Sequence, residues 1–125
     1  MPPIIGYVQI TGVNATHRSA ELGIRIGAEQ NRGQGLGKEA LHLAVDFCWS
    51  HLNLNRIQLI VFKHNQRAIR AYQAAGFKKE GMLRKAAFIG GEWVDLVPMA
   101  ILRSDAKRQR KTFPPQAVAL QLSVA

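Results

Sequence analysis

Arg32-Gly33-Gln34-Gly35-Leu36-Gly37-Lys38 is the stretch on which the fold turns. Three glycines at alternate positions separate an apolar, strand-like run (Leu22 to Ile26) from a periodic segment running from Leu36 to Leu52. A strand that enters a glycine-rich turn and opens a helix aims backbone amides at an anion. The helix contributes unpaired N–H groups and the positive end of its dipole, and glycine lets the anion approach without a Cβ in the way. Arg32 and Lys38 bracket the turn with positive charge, so the expected ligand is a phosphorylated cofactor. A turn that merely caps a helix is the other reading of the loop alone. Spacing narrows the choice of cofactor. Counting from Gly33, the sixth position of a dinucleotide fingerprint is Lys38, not glycine. A P-loop needs glycine where Arg32 stands and Ser or Thr where Glu39 stands.

A second stretch lies about thirty residues on, behind the apolar run Ile57 to Phe62: Asn65-Gln66-Arg67-Ala68-Ile69-Arg70-Ala71-Tyr72-Gln73-Ala74-Ala75-Gly76-Phe77. Asn65 suits a helix N-cap. Ala68, Ile69, Tyr72 and Ala75 fall on one helical face. Gly76 suits the left-handed position just past a helix end, and Phe77 opens the next strand. With its Arg-x-x-Gly-x-Gly loop and this Asn-x-x-Ala-Ile-x-x-Tyr-x-x-x-Gly-Phe segment in that order, the chain resembles the GNAT superfamily of N-acetyltransferases from roughly Ile4 to Leu102. The later residues Gly81-Met82-Leu83-Arg84 and Asp95 to Leu102 look most like the branch that acetylates ribosomal-protein N-termini, which also holds polyamine and antibiotic acetylators.

The remaining elements follow from periodicity. Ile4 to Thr11 reads as a strand, turned by residues 12 to 16, with Ser19 to Gly27 antiparallel to it. The segment after the glycine loop places Leu36, Ala40, Leu41, Ala44, Val45, Cys48, Trp49 and Leu52 on the apolar stripe of a core-facing helix. Arg56 to Phe62 is apolar on both faces, as in a central strand. Lys78 to Phe88 and Glu92 to Leu102 read as a hairpin through Gly90-Gly91. The expected fold is α/β: a GNAT-like mixed, mostly antiparallel sheet flanked by helices, lacking the strand and two helices with which the family usually begins. The expected organisation is a domain over residues 1–102 and a basic, then apolar, extension over 103–125.

Composition agrees with one domain around one core. The chain has 125 residues, 47% of them apolar. A single cysteine, Cys48, excludes an intrachain disulfide and is read as a packing residue. The start of the sequence has no signal-peptide pattern and no apolar run approaches a membrane span, so a cytoplasmic protein without membrane contact is expected. The formal net charge is +9. Residues 103–111 carry five Lys/Arg and one Asp, a net of +4. Without interleaved aromatics that run is a solvated one, and nucleic acid is not the expected partner. His17, His42, His51 and His64 share no metal-ligand spacing on one face, and no metal is expected.

The resemblance implies acetyl-CoA as cosubstrate and an amine as acceptor. It places Arg32, Gly33, Gln34, Gly35, Gly37 and Lys38 around the CoA pyrophosphate, the backbone near Ile24 and Ile26 along the pantetheine arm, and Asn65 beside that arm. Tyr72 then stands near the sulfur as general acid, since a phenol near pKa 10 can protonate a thiolate; a packed helix aromatic is its other reading. Glu21 shares a strand face with Gly23 and Arg25. It is either the group that binds or deprotonates the amine or an exposed edge carboxylate. Trp93 is read as core or interface ahead of substrate wall. The departure at the N-terminus leaves a second function class open, a CoA-binding module with weak or no turnover. It also implies an exposed sheet edge. Val118, Leu120, Leu122 and Val124 alternate with small or polar residues, so residues 117–125 are expected to pair with such an edge, within the subunit or across a homodimer.

Overall fold

The computed structural model describes residues 6–26, 36–106 and 120–124 of the chain. Seven strands form one sheet in the order β4-β6-β3-β2-β1-β7, with β5 also paired to β6. They are β1 (Gly6–Asn14), β2 (Ser19–Ile26), β3 (Arg56–Phe62), β4 (Lys78–Lys79), β5 (Leu83–Ile89), β6 (Glu92–Leu102) and β7 (Leu120–Val124). Helix α1 (Leu36–Ser50) lies between β2 and β3, and α2 (Gln66–Ala74) follows β3. Neighbours are antiparallel except at β2/β3 and β1/β7. The mixed, mostly antiparallel sheet is therefore as the sequence implies.

The core sits on one face of that sheet. Strand alternation sends Val8, Ile10, Ala20, Leu22, Ile57, Leu59, Val61, Val97, Met99 and Ile101 to it. Helix α1 meets them with Ala40, Leu41, Ala44 and Cys48, spaced as a helical stripe, and α2 with Ile69. Val45, Trp49 and Leu52 pack at its margin; the side chain of Leu36 lies outside the described residues. Burial pushes the Cys48 thiol up to about 11, so it stays protonated at neutral pH and packs as a small apolar group.

Several expectations need correcting. The first turn falls at Ala15–Arg18, further out than the sequence suggests. Gly12 takes φ +62°, which lets β1 run on past an irregularity to Asn14, and the Asn14 side chain accepts the His17 N–H at 2.8 Å. β3 is central in order but covered on one face only: Ile60, on the face away from the helices, is 44% exposed. The stretch from Lys78 to Phe88 is not one strand. Gly81 at φ +152° separates β4 from β5, and β5 then bulges, with Lys85 left-handed and its N–H held by the Asp95 carboxylate at 2.8 Å. The hairpin turn itself is as expected, with positive φ at both Gly90 and Gly91.

β7 meets the expectation for the tail within its own subunit. It lies parallel to β1 in the register Gly6↔Leu120, Val8↔Leu122 and Ile10↔Val124; residues 117–119 and 125 lie outside the described residues. Val8 and Ile10 are buried positions of the core. Deleting Pro114 to Ala125 is expected to lower the melting temperature by about 5 °C or more, because a ladder beside the core is lost. The mass by light scattering should lose only the deleted residues. An unchanged melting temperature would show that β7 holds nothing together.

Candidate cofactor and active site

β2 and β3 are parallel neighbours, yet they pair at only three positions: Ser19↔Arg56, Ala20↔Ile57 and Glu21↔Gln58. β2 then continues to Ile26 and β3 to Phe62 without a shared ladder. Each keeps its outer partner: β1 stays with β2 as far as Gly6↔Ile26, and β6 with β3 as far as Phe62↔Leu96. The sheet forks beyond Glu21 and Gln58. Alternate N–H and C=O groups on the two inner edges are left to other partners, and an extended ligand with its own amides can satisfy them as an added half-strand.

Both strands carry their C-terminal ends toward the same end of the sheet; α2 opens shortly after β3, and α1 begins at Leu36, ten residues after β2 ends at Ile26. α1 opens with Leu36, Gly37 and Lys38 in its first turn; Gly37 is half-buried and Lys38 exposed, with Glu39 beside them. Arg32, Gly33, Gln34 and Gly35 lie outside the described residues. α2 begins three residues past β3. Asn65 caps it by accepting the Ala68 N–H on Oδ1 at 3.2 Å, and its own N–H reaches the Phe62 carbonyl at 3.0 Å. The cap uses Oδ1 and leaves the Asn65 Nδ2 donors for a ligand. The α2 N-terminus, directly after β3, offers amide donors and a positive dipole end of the kind that suits a phosphorylated, amide-bearing molecule.

α2 also places Tyr72. The helix ends as Gly76 predicts: Phe77 N–H bonds the Tyr72 carbonyl at 3.0 Å and Gly76 N–H the Gln73 carbonyl at 3.1 Å, with Gly76 at φ +109°. A Cβ on Gly76 would stand 3.1 Å from Ile101 Cδ1. This turn folds Phe77 back against Tyr72, ring centroids 5.9 Å apart. Tyr72 is half-buried, and loss of solvent raises its phenol above the usual value of 10.0. Glu21 is half-buried at the last paired position before the fork. Alternation with buried Ala20 and Leu22 puts it on the sheet face opposite the helices, together with Gln58. The Gln58 side-chain oxygen accepts from Arg56 at 3.2 Å, and Arg56 also grips Glu80, holding that carboxyl below its ordinary range.

Three residues missed in the sequence, Lys63, His64 and Gln66, border a hollow of about 330 Å³ with Val94 and Asp95, on the β6 side of β3. Lys63 N–H bonds the Asp95 carbonyl at 3.0 Å, and Gln66 Nε2 the Lys63 carbonyl at 2.7 Å. His64 stacks on Phe62 with centroids 5.6 Å apart. The only sequence signal was their position flanking the cap Asn65. Trp93 is not core: it is 62% exposed on the β5–β6 hairpin. Ile24 is half-buried at the margin of the core, and the side chain of Ile26 lies outside the described residues. Among the described residues no group of three or more His, Cys, Asp or Glu could hold a metal ion, and no helix is long and apolar enough to cross a membrane.

The fold is thus a mixed α/β sheet that forks between two parallel strands, with α2 opening directly after one of them. The model of the acetyltransferase (GNAT) domain matches residues 2–78, and the chain belongs to that family. It is similar to the spermidine N(1)-acetyltransferase of Escherichia coli K12, 37% identical over 107 residues, covering 86% of this chain and 57% of that protein. The Vibrio cholerae spermidine N(1)-acetyltransferase is 38% identical over 101 residues, covering 81% of this chain and 58% of that protein. A solved variant of a Vibrio cholerae spermidine N-acetyltransferase superposes with a TM-score of 0.78 at 36% identity, covering 86% of this chain and 63% of that one. A structure titled as the dodecameric Vibrio cholerae enzyme gives 0.75 at 34% identity. The chain thus spans somewhat more than half the length of these relatives.

Proposed function

We propose that this chain is an acetyl-CoA-dependent N-acetyltransferase for a primary amine, working in the cytoplasm. The observation that carries this reading is the fork between β2 and β3, with the α2 N-terminus directly after β3. The strand backbone from Leu22 to Ile26 pairs with the pantetheine amides. The loop Arg32 to Lys38 binds the pyrophosphate through its amides and positive charge, and Asn65 Nδ2 donates to the arm. Acetyl-CoA supplies an activated acyl carbon and a sulfur leaving group. The amine nitrogen forms a bond to the carbonyl carbon, a β2 N–H stabilises the developing oxyanion, and the C–S bond then breaks. Tyr72 gives its proton to the departing thiolate, and Glu21 takes the proton lost by the nitrogen, directly or through water. Tyr72 lies on α2, on the helix side of the sheet, and Glu21 on the opposite face, so the proposed acid and base approach the acetyl group from opposite sides.

Polyamines head the acceptors to test, because the relatives at 37% and 38% identity are named for spermidine. Peptide N-termini come second, and the chain is read as a homo-oligomer. A second reading is a CoA-binding module with little turnover. Thiol release from acetyl-CoA over a panel of spermidine, small amines and N-terminal peptides separates the two. Binding without turnover on every acceptor would leave only the module. For the cofactor site, Gly35→Asp puts a carboxylate where phosphate is proposed to sit and should weaken CoA binding more than about tenfold. Unchanged affinity by calorimetry in a folded variant would remove the loop from the site.

A further inference from the structure

Three connections meet at the end of the sheet opposite the fork. Arg18 immediately precedes β2, residues 51–55 lead from α1 into β3, and Arg103 immediately follows β6. The backbone ties them together. The Arg18 carbonyl accepts the N–H groups of Asn55 at 2.6 Å and Arg56 at 3.1 Å, and Arg103 N–H reaches the Asn55 carbonyl at 2.9 Å. Arg18 and Asn53 are both left-handed, at φ +53° and +52°, a backbone state that residues with a Cβ rarely take. Both guanidiniums then turn to Asn53. Arg18 donates from Nε to the Asn53 carbonyl at 2.8 Å and from Nη2 to Asn53 Oδ1 at 3.1 Å. Arg103 donates from Nη1 to the same Oδ1 and to the Leu54 carbonyl, each at 3.3 Å.

Fastening the α1–β3 connection accounts for the bonds to the two carbonyls. It leaves two cations meeting on one neutral oxygen. Their nitrogens stand no more than about 6.4 Å apart, the sum of the two distances to Oδ1. Among the described residues Glu80 pairs with Arg56, Asp95 with Lys63 and Asp105 with Lys78, and no carboxylate pairs with Arg18 or Arg103. All three side chains are exposed. Arg18 Nη1, Arg103 Nε and Nη2, and Asn53 Nδ2 have no hydrogen-bond partner among the described residues.

We propose that Arg18, Arg103 and Asn53 form a second anion site, apart from the cofactor cleft, for a small tetrahedral oxyanion of the phosphate class. An oxyanion accepting at about 2.8 Å from each guanidinium bridges nitrogens at that separation, and the planar forks match its edges with paired N–H groups. Its charge supplies what the Asn53 amide lacks. β3 alone, seven residues at about 3.3 Å each, puts roughly 20 Å between this site and the α2 N-terminus.

The experiment follows the amide and arginine side-chain NMR signals of the wild-type chain during titration with inorganic phosphate, chloride holding the ionic strength constant. The wild type should show saturable shifts at Arg18, Asn53 to Asn55 and Arg103, with a midpoint on the order of 1 mM. Arg103→Gln leaves the bonds of Arg18 in place and should weaken this binding at least about tenfold. Asn53→Asp keeps the acceptor oxygen and sets a carboxylate between the two guanidiniums. With an unchanged circular dichroism spectrum, it should also weaken phosphate binding at least about tenfold, because the site is then filled from within. Shifts confined to residues 32–38 and the start of α2 would put phosphate in the cofactor cleft alone and overturn the second site. Binding as tight in Asn53→Asp as in the wild type overturns it as well. An oligonucleotide that moves the same signals and binds more than about a hundredfold tighter than phosphate would overturn the small anion as ligand in favour of a nucleic-acid backbone.

Discussion

Phe77→Ala is expected to destabilise the fold by about 3–5 kcal/mol, a large part of the 5–15 kcal/mol that a domain of this size has in total. Phe77 is 2% exposed and lies in the core cluster with Ile69, Met99 and Ile101, its ring tilted against Tyr72. Its backbone N–H closes the helix-ending turn on the Tyr72 carbonyl, so the side chain sits where α2 is tied to the sheet. Truncation leaves a cavity that the turn cannot fill, because Gly76 already stands against Ile101 and has no side chain to offer. Urea titration should show a lower midpoint at unchanged slope. A loss under about 1 kcal/mol would mean that α2 is held mainly by its cap and Ile69.

The parts of the fold visible in the sequence are those set by local physics. Asn65 as cap, Gly76 as left-handed terminator and the Gly90-Gly91 turn each depend on a few neighbouring residues, and each stands where its chemistry places it. The alternation of Leu120, Leu122 and Val124 likewise marked a strand, though periodicity could not say that it would lie parallel to β1. What the sequence concealed depends on distant pairing. Nothing in Leu22 to Ile26 or Leu59 to Phe62 says that two parallel strands stop pairing after Glu21 and Gln58, since that follows from how β1 and β6 hold them from outside. Apolar Ile60 and Trp93 misled for the same reason. Hydrophobicity predicts burial only where a covering element exists, and both helices went to the other face of β3 while the hairpin outran the sheet. For the site, the residue types were legible and the fork between β2 and β3 was not.

Tyr72→Phe is expected to lower turnover at least tenfold, and toward a hundredfold if proton donation limits the step, while CoA affinity changes little. The ring supplies the packing against Phe77 and the core, and phenylalanine keeps it; only the hydroxyl is lost. An interaction lost only in the transition state lowers kcat and kcat/KM together. The pH dependence separates this role from packing. Burial raises the Tyr72 phenol above 10.0, so its proton is present for the proposed donation throughout the neutral and mildly alkaline range and is lost only as pH climbs past that raised value. The wild-type to variant ratio of kcat should therefore be flat from about pH 7 to pH 9. Each enzyme should lose rate toward acid, where the attacking amine is protonated. A ratio that collapses toward one within that range would assign the proton to a group of lower pKa. Equal rates at every pH would reduce Tyr72 to the aromatic that seats α2 on the sheet.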